Sequence, residues 1–207
     1  MTKFLRFGAA GVAVAAALAT APAFAQSNQA SADARAEILS ALTLEVATGT
    51  TLDFGAVVIQ NTASAATLVM GDDGVLDCSD ANLVCSGTTD VPVFDISGGT
   101  ANKTVTISFD STSVNLYLGG TPSVDPTEYL VLDTFTSDAT LNPAQNNVPV
   151  LDPYGVQTGT VNIPAYYSTT LDGSGAGSFT IGGSLHFDGN EVAGVYSGSV
   201  PVTVDYL

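Results

Sequence analysis

Apolar and polar residues alternate in short runs along most of this chain, with a period of two rather than the 3.6 of a helix. Val105, Ile107 and Phe109 alternate with Thr104, Thr106 and Ser108, the spacing of a strand with one buried face. Runs rich in Thr, Val, Tyr and Phe, broken by Gly, Asp, Asn and Pro, predict strands near 36–47, 50–59, 66–70, 91–97, 103–109, 114–118, 129–136, 156–166, 178–187 and 192–206. Segments 71–90 and 137–155 read as loops. Phe179, Ile181, Leu185 and Phe187 share one parity, and Asp188-Gly189-Asn190-Glu191 is a turn. Together they predict a hairpin of 178–187 with 192–206. In the final strand Tyr196, Val200, Val202, Val204 and Tyr206 share a row with Gly198, so one face meets a core along its whole length. Pro201 interrupts that strand without an N–H to give, which an edge position tolerates. So many short strands with turn signals between them predict an all-β fold of the sandwich type.

The first residues follow a different rule. Lys3 and Arg6 precede an apolar run from Phe7 to Ala19, and Ala23-Phe24-Ala25 follows with Gln26 next. A basic flank, a short apolar core and small residues at −3 and −1 are what a secretory signal peptide requires. The expected organisation is a signal peptide over 1–25, an N-terminal extension over 26–40 and one β-sandwich domain over 41–207. No later stretch is apolar enough to span a bilayer as a helix. A small outer-membrane barrel is the rival β reading. Its lipid-facing row would be Leu207, Asp205, Thr203, Pro201 and Ser199, which is too polar, and the chain has no Trp for an interfacial girdle.

Charge narrows the partners. The chain holds 20 acidic residues against 4 basic ones, and all the acidic ones lie beyond residue 25. Such a surface repels nucleic acid and anionic lipid headgroups. In an exported chain, Cys78 and Cys85 read as one local disulfide stapling the loop between them. His186 is the single histidine, alternating with Leu185 and Phe187, and reads as an outward-facing strand residue. No serine sits in a nucleophile elbow, and the glycines over 172–177 lack the lysine of a phosphate loop. The sequence therefore points away from an enzyme, and no cofactor is expected. Asp72, Asp73, Asp77 and Asp80 crowd the cysteine loop. They are either turn formers in an acidic protein or oxygen ligands for calcium, without the spacing of an EF-hand.

The C-terminus carries a resemblance. Gly194 is the fourteenth residue counted back from the C-terminus, the final strand alternates, and Tyr206 is penultimate. Together these resemble the C-terminal signature of chaperone–usher pilus (fimbrial) subunits. The ending G-x-Y-x-G…V-T-V-x-Y and Leu52-Asp53-Phe54-Gly55 also look like an uncharacterised, domain-of-unknown-function family of exported proteobacterial β proteins, itself similar to the archaic, spore-coat-U-like pilins. The resemblance implies an immunoglobulin-like sandwich lacking one strand, whose core lies open as a groove beside Gly194, Tyr196, Val200, Val202, Val204 and Tyr206. It implies a periplasmic chaperone, an outer-membrane usher and other copies or related subunits as partners. It also implies passage through the periplasm to the surface or fimbrium of a Gram-negative cell, with a role in cell adhesion.

A donor segment is legible apart from that signature. Ala30, Ala32, Ala34 and Ala36 alternate with Ser31, Asp33 and Arg35, and Ile38 continues the row. At ~0.8 kcal/mol per buried methyl-sized group, four alanines contribute only about 3 kcal/mol, so backbone pairing would dominate. Alanine also favours helix, so the same residues read equally as a helical turn or a tail. The alternative function is a monomeric secreted sandwich that binds carbohydrate or calcium through its loops, its tyrosines supplying stacking surfaces.

Overall fold

Strict alternation in the strands is reproduced as burial. The computed structural model describes Asp33, residues 35–61 and residues 64–207. The chain divides into two units, Met1–Glu37 and Ile38–Leu207. Only the second is described at length, and it is all-β.

Among the described residues sixteen strands follow one another: β1 (Thr43–Val46), β2 (Ala56–Ile59), β3 (Ala66–Met70), β4 (Leu76–Asp77), β5 (Leu83–Ser86), β6 (Val93–Ser97), β7 (Thr104–Phe109) and β8 (Ser113–Leu118), then β9 (Tyr129–Ser137), β10 (Thr140–Asn142), β11 (Gln145–Leu151), β12 (Gln157–Ile163), β13 (Tyr166–Thr170), β14 (Gly177–Phe187), β15 (Tyr196–Ser197) and β16 (Val202–Tyr206). One sheet runs β1-β6-β14-β9-β8-β15, with β3 and β4 added beside β14. The second runs β10-β13-β7-β16. Every pairing is antiparallel. Two separate ribbons, β2-β5 and β11-β12, complete the fold.

The two sheets enclose the core of a sandwich. Phe94 and Ile96 of β6 and Phe179 and Ile181 of β14 meet Val105 and Ile107 of β7 and Leu171 across the layer. Phe94 and Phe179 stack with ring centroids 5.1 Å apart. A second cluster, around Leu68, Met70, Leu130, Leu132, Leu185 and Phe187, fills the space under β2, β5 and the end of β15. The strand β14 belongs to both clusters because it is long enough to pair with β6 over its first half and with β3 and β9 beyond.

Three expectations are corrected. The hairpin of 178–187 with 192–206 does not form: β14 pairs with β6, β9 and β3, while the final segment pairs elsewhere. The single last strand is two strands, β15 on β8 in the large sheet and β16 on β7 in the small one. The stretch 137–155 is not loop throughout, since it holds β10 and β11, and 71–90 holds β4 and β5.

Candidate functional site

Among the described residues, β1 ends one border of the large sheet and pairs only with β6, and β16 ends one border of the small sheet and pairs only with β7. Leu42 and Leu44 at β1, and Val202, Val204 and Tyr206 of β16, pack against the same core cluster. The two edge strands therefore flank one seam of the sandwich, and neither pairs with the other.

The seam is closed at one end and open at the other. At the closed end the Tyr206 hydroxyl donates to Ser40 O at 2.8 Å and accepts from Thr100 N at 2.7 Å, while Ser40 N donates to Thr100 Oγ1 at 2.8 Å. At the open end lies a cleft of about 520 Å³, rimmed by residues 50–53 and 195–200. Phe94, Leu132 and Ile181 line its floor and are themselves buried.

Local sequence explains how the last residues form one rim. A Cβ on Gly194 would collide with Leu118 Cδ1, and one on Gly198 would stand 2.7 Å from Asn115 O and 2.9 Å from Leu116 Cδ2. Glycine at both places lets the segment run close along β8 before it crosses to β7. Pro201 sits in that crossing, before β16 begins, so its missing N–H removes no ladder bond; its carbonyl accepts from Asp110 N at 3.2 Å. Tyr196 holds the other end of the segment, its hydroxyl 2.6 Å from Val192 O and 3.1 Å from Thr127 O. Burial pushes that phenol above its ordinary pKa, and the carboxylates of Glu191 and Glu128 push it the same way.

The expected groove row thus meets the core in two parts. Tyr196 packs on the first cluster, Val202, Val204 and Tyr206 on the second, and Val200 on both, each of them only half-buried. Of the expected donor segment, Ala30, Ala32 and Ala34 lie outside the described residues. Ala36 and Ile38 are exposed and in no strand, Ile38 at 94%. Ile181 was expected as a buried strand residue, and none of Phe94, Leu132 and Ile181 was expected at the site, because buried parity marks a core residue without showing that a cleft lies over it.

The other expected residues settle simply. Cys78 and Cys85 form the disulfide, with Cα atoms 6.3 Å apart, at the edge of the first core cluster. Of the carboxylates expected as alternative calcium ligands, Asp72 and Asp73 precede β4, Asp77 ends it and Asp80 follows it. Asp73 accepts from Val75 N, Asp77 from Ser79 N and Asp80 from Asn82 N, so these three each cap a local turn. Among the described residues no group of three or more Asp, Glu, His or Cys could hold a metal ion.

His186 makes a contact that sequence alone did not show. On the outer face of the large sheet, its Nε2 lies 2.8 Å from Asp133 Oδ1 and its Nδ1 lies 3.2 Å from Thr67 Oγ1. The hydrogen bond from His186 holds the Asp133 carboxyl below the ordinary 3.8, with the Thr134 hydroxyl adding to it and burial opposing. The row joins β3, β14 and β9 across the sheet.

The body and its seam define an all-β sandwich with two edge strands, each paired on one side among the described residues, beside a cleft that lies over buried core residues. Residues 44–206 match the family model described as Domain of unknown function (DUF4402), and the chain belongs to that family. No curated protein and no solved structure matches the chain. Among the described residues no helix is long and apolar enough to cross a membrane.

Proposed function

We propose that this protein is an exported, fimbrial or pilin-like subunit that assembles with other copies or related subunits by strand donation at the cell surface. The observation that carries the reading is the seam: among the described residues β1 and β16 each have one border paired with no strand, and a cleft between their ends lies over the buried Phe94, Leu132 and Ile181. A strand laid there finds main-chain groups along β16 and apolar side chains beneath, the two requirements of β-augmentation. The half-buried row of Val200, Val202, Val204 and Tyr206 is what a strand awaiting a neighbour leaves uncovered. The donor is residues 30–38 of another subunit, with Ala30, Ala32, Ala34, Ala36 and Ile38 facing inward. A signal peptide over 1–25 delivers the chain to the periplasm. There a chaperone covers the seam before an outer-membrane usher exchanges it for the next subunit.

A synthetic peptide of residues 28–40 tests the reading. If it enters the seam, a hundredfold excess over Kd adds about 2.7 kcal/mol of stability, a rise in melting temperature of roughly 5–10 °C. A peptide carrying Ala32→Asp and Ala34→Asp should give no rise. Equal melting with and without the native peptide, up to its solubility limit, rejects strand donation by this segment and favours a monomeric module.

A further inference from the structure

Among the described residues, the hairpin of β11 and β12 is joined by no third strand. Its register sets Val148 opposite Val161, Pro149 opposite Thr160 and Val150 opposite Gly159. Alternation then places Val148, Val150, Val161 and Ile163 on one face, and Pro149, Thr158, Thr160 and Asn162 on the other. The polar face is bonded within the ribbon: the Thr158 hydroxyl donates to Val150 O at 3.1 Å, and Asn147 N donates to Asn162 Oδ1 at 2.9 Å. On the valine face Val150 and Val161 remain 44% and 47% exposed. A two-stranded ribbon is marginal alone in water and gains its stability when an apolar face is covered.

The same stretch is nearly without charge. From Ala139 to Leu171 the single charged side chain is Asp152, in a chain of formal charge −16. Even that carboxylate is turned into its own loop, where it accepts from Tyr154 N and Val156 N, both at 2.9 Å.

We infer that the valine face of this ribbon packs against the same face of a second copy, around a two-fold axis. Charge selects the partner. Two copies of so acidic a chain repel over most approaches, and the ribbon is where that repulsion is least. A basic partner would instead be drawn to the acidic body. Seven residues at ~3.3 Å each and two strands ~4.8 Å apart make a face of roughly 230 Å² per copy. A stable pair needs about 600 Å² or more on each side. The contact is therefore weak between free molecules and becomes strong only where many copies are held side by side. The pairwise contact does not depend on the strand-donation reading; repetition along neighbouring polymers does.

Sedimentation of the full chain over a concentration series up to about 1 mM, at low and high salt, tests the inference. The expected result is a reversible monomer–dimer equilibrium that strengthens with salt, because salt screens like-charge repulsion. The double variant Val150→Thr, Val161→Thr keeps strand-forming residues but should weaken dimerisation at least tenfold, whereas Thr160→Ser on the opposite face should leave it unchanged. Saturating peptide 28–40 should have no effect. A chain that stays monomeric at the highest concentration in high salt overturns the inference, as does a double variant that associates like the wild type. Association abolished by the peptide but kept by the double variant assigns the self-contact to the seam and also overturns it.

Discussion

Replacing Tyr206 by Phe removes one oxygen and leaves the ring in its place against the core. That oxygen joins three segments: it donates to Ser40 O at 2.8 Å and accepts from Thr100 N at 2.7 Å, while Ser40 N reaches Thr100 Oγ1. Each hydrogen bond contributes about 0.5–1.5 kcal/mol net. Ser40 is exposed, so water replaces the lost donor at its carbonyl and that loss falls at the low end. Thr100 is half-buried, so its N–H is less easily satisfied by water and that loss falls higher. The expected destabilisation is about 1–2 kcal/mol by equilibrium urea unfolding with an unchanged m value, or roughly 3–6 °C in melting temperature. Thr100→Val removes the acceptor for Ser40 N from the same closed network, so the double variant should lose less than the two single losses combined. A loss below about 0.3 kcal/mol for Tyr206→Phe, or full additivity with Thr100→Val, would refute the idea that this hydroxyl fastens the closed end of the seam.

Two further outcomes follow from the geometry. Gly198→Ala should destabilise the chain by about 1–3 kcal/mol, because the new methyl must displace the β8 backbone at Asn115 and the Leu116 side chain; thermal unfolding at unchanged stability would show that the final segment has more room than its path indicates. His186→Leu should raise the pH at which the Asp133 carboxyl titrates, followed by carboxyl-carbon NMR. Its depressed value contributes stability that is present above the ordinary 3.8 and is lost as pH falls through the lower folded value. An identical Asp133 titration in the variant would remove His186 as the cause.

The central strands were legible because alternation alone places them. The expected 66–70 coincides with β3, and 103–109, 114–118 and 129–136 differ from β7, β8 and β9 by a residue at an end. Alternate residues of β3, β7 and the first half of β9 are buried, so their period and their bounds are set by the same residues; β8 alternates in sequence but is only half-buried. Parity fails where a strand changes sheets. Residues 196–206 keep one unbroken row, yet the chain passes from β8 to β7 within it; Gly198 and Pro201 were the signal, a residue without a side chain and one without a donor at the crossing. The region 137–155 read as loop because its prolines and asparagines outweigh the alternation of Val148 and Val150, and a ribbon outside the sandwich has no buried face to strengthen it. The alanine alternation before residue 40 extended the first predicted strand to 36, whereas β1 begins at Thr43, where leucines reach the core. The edge residues of the site were therefore visible, but the cleft between them was not, since a cleft over a core depends on where the surrounding segments cross and not on their parity.

The two walls of the seam are not equal. The strand β16 is held by five residue pairs to β7 and by the Tyr206 hydroxyl at its end. The strand β1 is held by four pairs to β6, and one of them sets Glu45 directly opposite Asp95. Directly opposed like charges weaken a strand pair, and neither carboxylate is buried or screened by a basic neighbour in that row, which continues to Ser178. The wall held less firmly is therefore β1. On the strand-donation proposal, an incoming strand adds to the β16 border, the firmer of the two. The acidic side chains of Glu45 and Asp205, turned outward on the two edges, also oppose direct pairing of these borders with identical borders of another copy. Openness along the seam and resistance to indiscriminate edge-to-edge aggregation then come from the same few carboxylates.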